Sequence, residues 1–244
     1  MKGIGKGLLL GAGLVLLVGQ AAFATSTDAL RLISGTSTAT IADNGTCTNT
    51  VGTPCSTLTG DSDGGITGQT TVSGTINGWK ITVVAGVTNS PSLTPVGLDL
   101  ASLTAVCSTG SCGDLLVEYS DINFNVAVPA GGFTTTYSST QAGTGSTLQK
   151  AWFDNGNTLF TQTTLIGTVG PFTSSNVGHA SGGAIASDSS YSLTLAQFFS
   201  GGTNGTQYSV DGNITAVPEP VSVSLLGGVL LVTVGAIRRK MRRA

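Results

Sequence analysis

The sequence predicts an all-β fold, an antiparallel β-sandwich, and three observations carry that prediction. The 244 residues include 37 Thr and 36 Gly with few strong helix formers, a balance that suits strands and turns and excludes an all-α chain. Several short stretches alternate apolar and polar residues, the period of a half-buried strand. An Asn-Gly pair separates two of those stretches, the strongest short-range sign of a hairpin.

The elements run in chain order. Lys2 and Lys6 give a positively charged start, residues 8–18 form an apolar run too short for a comfortable membrane span, and Ala22-Phe23-Ala24 places small residues where signal peptidase reads. Residues 1–24 are therefore expected to be a secretory signal peptide cleaved after Ala24. Next, Thr36, Thr38 and Thr40, then Thr46, Thr48 and Thr50, fall at alternate positions. Such a ladder of hydroxyls and methyls could order water on ice. No fixed repeat period recurs, however, and Asp43-Asn44-Gly45 interrupts the run, so the β-propensity of Thr on a solvated face explains it better.

Residues 70–76 and 79–85 flank Asn77-Gly78. A two-residue turn there pairs Ile76 with Trp79, Gly74 with Ile81, Val72 with Val83 and Thr70 with Ala85, all on one mostly apolar face. Leu115, Val117 and Tyr119 then alternate on odd positions, but Ile122, Phe124, Val126 and Val128 on even ones. This phase change near Ser120-Asp121 predicts a bulge or short break. Residues 148–160 contain Asp154-Asn155-Gly156-Asn157 and read as a second hairpin. Tyr191, Leu193 and Leu195 form another stripe. Finally, Tyr208, Val210, Gly212, Ile214 and Ala216 alternate with Gln207, Ser209, Asp211, Asn213 and Thr215 in a last strand that closes the domain.

Cys47, Cys55, Cys107 and Cys112 all lie between the signal peptide and that last strand. An even count in an exported chain reads as two disulfides. Three connectivities are open, the local one being most economical because each pair brackets a Thr/Ser/Gly loop. Neither pair has C-x₂-C spacing and the single His179 is distant in sequence, which speaks against a cysteine metal site. Residues 25–217 carry eleven acids against Arg31, Lys80 and Lys150, a net charge of −8 where the whole chain has −2. Such a surface argues against nucleic acid and anionic lipid as partners.

The C-terminal end has three parts. Val217-Pro218-Glu219-Pro220 cannot continue a strand or sit within a helix. Residues 221–237 are uncharged and as a helix would just cross a thin bilayer. Arg238, Arg239, Lys240, Arg242 and Arg243 form a cluster that would stay cytoplasmic. This tripartite tail resembles the PEP-CTERM sorting signal of Gram-negative bacteria. The resemblance implies that an exosortase recognises Pro218, Glu219 and Pro220 and removes residues 221–244 during export. Similar tails are attached to some ice-binding proteins. The chain thus divides into a signal peptide (1–24), a β-sandwich ectodomain (25–216) and a sorting signal (217–244). Tyr191-Ser192-Leu193-Thr194-Leu195, Gly78-Trp79 and Val210-Asp211-Gly212-Asn213-Ile214 also resemble a recurrent type of PEP-CTERM ectodomain, secreted and of unknown biochemical function.

Candidate chemistry is sparse. His179, flanked by Gly178 and Ala180, has no G-x-S-x-G elbow to serve, and reads as a solvent-facing loop residue. Glu118, with Asp114 and Asp121 nearby, offers a glycosidase-like pair, but solvated strand-edge acids are the plainer reading. Asp61 and Asp63, in Asp-Ser-Asp-Gly-Gly, are a weak calcium candidate and otherwise a polar turn. Asp211-Gly212-Asn213 is weaker still. Trp79, Trp152, Tyr119 and Tyr137 are the ring platforms on which a sugar could stack, each with a core reading beside it. No cofactor is implied. The expectation is a non-enzymatic exported protein of the cell surface or extracellular matrix, with signal peptidase and exosortase as partners during export and transient anchoring by the C-terminal helix. The alternative is a carbohydrate- or calcium-binding module of an exopolysaccharide matrix, with ice binding and hydrolysis behind it.

Overall fold

The computed structural model describes residues 27–49, 52, 55–85, 97–125, 128, 131–182 and 190–217. The expected signal peptide (1–24), Pro218, Glu219, Pro220, the apolar span 221–237 and the basic cluster lie outside the described residues. Among those described, no helix is long and apolar enough to cross a membrane.

The described chain is all β: β1 (Ala29–Ser34), β2 (Ser37–Ala42), β3 (Cys47–Asn49), β4 (Thr70–Ile76), β5 (Trp79–Ala85), β6 (Gly97–Cys107), β7 (Leu115–Phe124), β8 (Phe133–Ala142), β9 (Ser146–Asp154), β10 (Thr164–Phe172), β11 (Asn176–Gly182), β12 (Tyr191–Ser200) and β13 (Gln207–Ala216). They form two antiparallel sheets, a seven-stranded one in the order β10-β9-β12-β7-β1-β2-β3 and a six-stranded one in the order β11-β8-β13-β6-β5-β4. Between them lies the core. Trp79, Phe199 and Tyr208 pack together at one pole, while Phe124, Phe133, Phe153 and Tyr191 cluster at the other.

The hairpin of β4 and β5 has the register its alternation demands, from Ile76 opposite Trp79 to Thr70 opposite Ala85. Asn77 and Gly78 take φ of 44° and 85°, the two positive values a type I′ turn requires. β13 buries Tyr208, Val210, Gly212, Ile214 and Ala216 and turns the intervening residues outward. The phase change in β7 is a bulge: Leu193 pairs with Asp121 but Tyr191 with Phe124, and Asn123 absorbs the extra residue at φ 67°. Both disulfides take the local pairing, Cys47–Cys55 and Cys107–Cys112. Loops this short constrain the unfolded chain modestly, about 2–3 kcal/mol per bond. Reduction of both bonds is therefore expected to lower the urea midpoint without unfolding the sandwich in water; collapse on reduction would contradict that ranking.

The second expected hairpin takes another form. β9 ends at Asp154 and the return strand starts only at Thr164, opposite Phe153. Residues 155–163 make a long loop instead of a tight turn, because Asp154 holds it from both ends. Its Oδ2 accepts the Thr158 N–H (3.3 Å) and its Oδ1 accepts the Thr163 hydroxyl (2.6 Å). This loop folds back over the outer face of the seven-stranded sheet, so β12 is buried on both faces along most of its length. At one side of the sandwich β10 and β11, consecutive in the chain, belong to different sheets. Gly167 permits their approach, since a Cβ there would lie 2.6 Å from that of Ala180.

Two polar features tie the sheets together. Gln149, buried on β9, donates to the Thr135 hydroxyl (2.6 Å) and the Thr136 carbonyl (2.7 Å) of β8, and Gln197 donates to Gln149. Thr70 of β4 donates to Asp28 beside β1 (3.2 Å). The chain leaves β13 at the pole where Asp28 and Thr70 lie, with the Val217 N–H donating to the Gly132 carbonyl (3.0 Å). Any C-terminal tail therefore emerges from that pole.

Candidate functional site

The opposite pole carries a groove. Ile33 of β1, Leu116 of β7, Phe198 of β12 and Leu148 of β9 stand in register across four adjacent strands. Alternation dictates where they point: Leu32, Leu115 and Phe199 are buried between the sheets, so their neighbours must face outward. The result is a half-exposed apolar row on the outer face of the seven-stranded sheet. It lines a recess of about 510 Å³ with Pro171, Ser146 and Ser200 at its rim and Asp114 at one end. Ser146 and Ser200 share a hydrogen bond of 2.8 Å. The Lys150 ammonium lies 5.5 Å from the centre of the Phe198 ring.

One row further along, Arg31, Glu118, Ala196, Lys150 and Thr168 are again in register. Here the loop 155–163 covers the sheet. Glu118 is completely buried; its Oε2 accepts from Arg31 Nε at 2.6 Å and its Oε1 from Gln162 Nε2 at 2.8 Å. The Arg31 guanidinium stacks 4.3 Å from the centre of the Phe160 ring. Beyond it, the Phe160 N–H donates to Ser120 and Ser192 donates to the Thr158 carbonyl. The loop is thus pinned along its length, over the row next to the groove.

This geometry corrects several sequence readings. Glu118 is no solvated strand-edge acid, because β7 lies inside its sheet and the loop covers the carboxylate. Asp121 points to the other side of β7, where its Oδ1 accepts from the Thr27 hydroxyl (2.8 Å). Asp114 is exposed at the groove's rim. The three acids do not converge on one reacting centre. Nor do the expected ring platforms offer a free face: Trp79, Tyr119, Tyr137 and Trp152 are 0, 0, 3 and 7 % exposed. Trp79 donates its indole N–H to the Gly113 carbonyl (2.8 Å), and Tyr137 stacks on Phe172. Phe198, half-buried like Phe160 and Phe172, is the ring that lines the groove, and the sequence carries its signal. Leu32-Ile33, Leu115-Leu116 and Phe198-Phe199 are apolar doublets, of which a strand can bury only one member.

Asp43, Asp61 and Asp63 bring carboxylate oxygens within 4.8 Å of one another. Most of those oxygens serve the loop. Asp61 accepts the N–H groups of Asn44 (2.8 Å) and Thr71 (2.9 Å), Asp63 that of Gly65 (2.8 Å) and Asp43 that of Gly68 (3.1 Å). The cluster holds residues 43–71 in shape. Beside it, Asp28 is buried and accepts the Tyr119 hydroxyl at 2.7 Å. Burial pushes the Asp28 carboxyl up to about 7, opposed by that hydrogen bond and aided by the charges of Asp121 and Asp43. His179 lies on strand β11 rather than in a loop, exposed on the outer face of the six-stranded sheet and flanked across the ladder by Thr136.

The sequence matches no protein-family model and no curated protein. Among solved structures, the chain is similar to a family 61 carbohydrate-binding module in complex with β-1,4-galactotriose, at 12 % identity over 57 % of this chain and 88 % of that one, with a TM-score of 0.31. It is also similar to the CBM22-1–GH10 modules of Clostridium thermocellum xylanase 10B complexed with xylohexaose (10 % identity, 59 % of this chain, 27 % of that one, TM-score 0.30). A third is the enzymatically active domain of bacteriophage CBA120 tailspike protein 4 (13 % identity, 57 % of this chain, 19 % of that one, TM-score 0.30). Likenesses this slight place no residue of the site.

Proposed function

We propose that this chain is an exported, non-catalytic polysaccharide-binding protein, and that its ligand lies in the groove formed by Ile33, Leu116, Phe198 and Leu148. The carrying observation is the apolar row itself. Four strands about 4.8 Å apart give it a length of about 14 Å, room for a short run of sugar rings. The C–H faces of those rings would pack on Phe198 and its aliphatic neighbours, while the hydroxyls reach Ser146, Ser200, Asp114 and Lys150 at the rim. The net charge of −8 between residues 25 and 217 repels polyanions, so the polysaccharide is neutral. The buried, ion-paired Glu118 is in no position to act as an acid or base on it.

Delivery rests on the two ends. Signal peptidase would release the chain after Ala24, and an exosortase would read Pro218, Glu219 and Pro220 while residues 221–237 and the basic cluster hold it in the membrane. The tail leaves from one pole and the groove sits at the other, so a tethered protein presents its site away from the bilayer. The final location is the cell surface or the extracellular matrix. An intact mass measured on protein from its host tests this. A product running from Thr25 to near Pro218 supports sorting, and one retaining Arg243 in the inner membrane contradicts it.

Binding is tested by electrophoresis through gels containing neutral polysaccharides such as xylan or mixed-linkage β-glucan. Retardation of the native protein is expected, and Phe198→Ala should weaken it about tenfold or more, the usual result of truncating a central ring. Equal retardation of variant and native protein would contradict the reading.

A further inference from the structure

The outer face of the six-stranded sheet carries a second recess that the proposed function does not use. It has a volume of about 460 Å³ and is built from two adjacent rows across three strands. Val177, Ser138 and Asp211 stand in register on β11, β8 and β13, and His179, Thr136 and Asn213 form the row beside them. These side chains point outward because the alternating positions Tyr137, Val210 and Ile214 fill the core. The Thr136 hydroxyl donates to Asn213 Oδ1 at 2.9 Å, which engages the amide oxygen of a residue that lines the recess. Ser138, Asp211 and His179 make no side-chain hydrogen bond or ion pair among the described residues.

That leaves an amide, a carboxylate, a hydroxyl and an imidazole open at lattice spacings of about 4.8 Å across strands and about 7 Å along them. Alternating donors and acceptors at such spacings match the hydroxyls of a sugar, with the carboxylate accepting from two neighbouring ones. Tyr137 lies beneath the recess but is only 3 % exposed, and Val177 is the one aliphatic side chain beyond the Thr136 methyl, so the recess suits polar ring edges rather than ring faces. Burial raises the Asp211 carboxyl, and its charge adds to the burial that raises Asp99 beside Asn213. Asp211 is exposed on this face, and a hydroxylic ligand could donate to it without displacing any hydrogen bond from a described residue.

We infer that Ser138, His179, Asp211 and Asn213 form a second saccharide site. Together with the groove on the opposite sheet, it makes the sandwich bivalent, able to bridge two polysaccharide chains. The bridging rests on the proposed function; the second site does not. The test uses the exported protein with xylan and mixed-linkage β-glucan as probes, reading gel retardation for binding and turbidity for cross-linking. Asp211 is exposed and Asn213 half-buried on the outer face, so Asp211→Asn and Asn213→Ala should leave the melting temperature nearly unchanged. Expected for each, and for Phe198→Ala, is continued retardation with turbidity lost, the apparent affinity for polymer falling about a hundredfold as avidity disappears. Loss of all retardation in Phe198→Ala, with Asp211→Asn and Asn213→Ala like the native protein in both readouts, would overturn the second site and leave the groove. The reverse pattern would overturn the groove and keep the second site as the sole one. Absence of retardation and turbidity in the native protein would overturn both.

Discussion

Arg31→Met is expected to destabilise the sandwich by about 3–5 kcal/mol, the cost of leaving a buried carboxylate without its counter-ion. Glu118 is wholly shielded from water and draws its hydrogen bonds from Arg31 and Gln162. Removing the guanidinium leaves a single amide donor to hold the charge. The double variant Arg31→Met/Glu118→Leu should recover most of the loss, because a well-packed apolar pair removes the desolvation penalty along with the attraction. Urea unfolding of the two variants measures both values. An Arg31→Met protein within about 1 kcal/mol of the native one would show that the loop 155–163 does not seal Glu118.

Asp28→Asn is expected to stabilise the protein at pH 8, by about 4 kcal/mol at most. The carboxyl sits at about 7 in the folded protein against an ordinary 3.8, and every tenfold change in proton affinity corresponds to about 1.4 kcal/mol. The sign comes from linkage. A carboxyl raised in the folded state contributes favourably below its unfolded value, and that contribution is lost as pH rises through the folded one. Native stability should therefore increase on acidification from pH 8 towards pH 4. Asparagine imitates the protonated acid: its Oδ1 can still accept from Tyr119 and Thr70, and it carries no charge to desolvate. The variant's profile should be much flatter between pH 4 and 8, with a residual slope of the same sign from Asp99 and Asp211, which burial also raises. Parallel profiles for native and variant proteins would mean that Asp28 is ionised in the fold.

Much of the fold was legible because local signals agreed with one another. Asn77-Gly78 fixed a turn whose register put every apolar residue of one face of β4 and β5 together, and β13 alternates without interruption. The phase change in β7 gave away its bulge. The loop 155–163 was harder to read, because Asp-Asn-Gly-Asn is also good turn chemistry, and what prevents a tight hairpin is the Asp154 carboxylate bonding to residues further along. β10 and β11 are rich in Gly, Thr and Ser with little alternation, and nothing local says that the chain changes sheets between them. The groove was hidden for a different reason. Ile33, Leu116, Leu148 and Phe198 are far apart in sequence and become a row only through the pairing of β1, β7, β12 and β9. The doublets marked residues that must face outward, but not that they share a register.

The most direct test of the central claim is hydroxyl-radical footprinting of the protein with and without a retarding neutral polysaccharide. Protection concentrated on Ile33, Leu116, Leu148, Phe198 and Pro171 is the predicted result. Unchanged labelling of those residues in a protein that demonstrably binds would contradict the assignment of the groove.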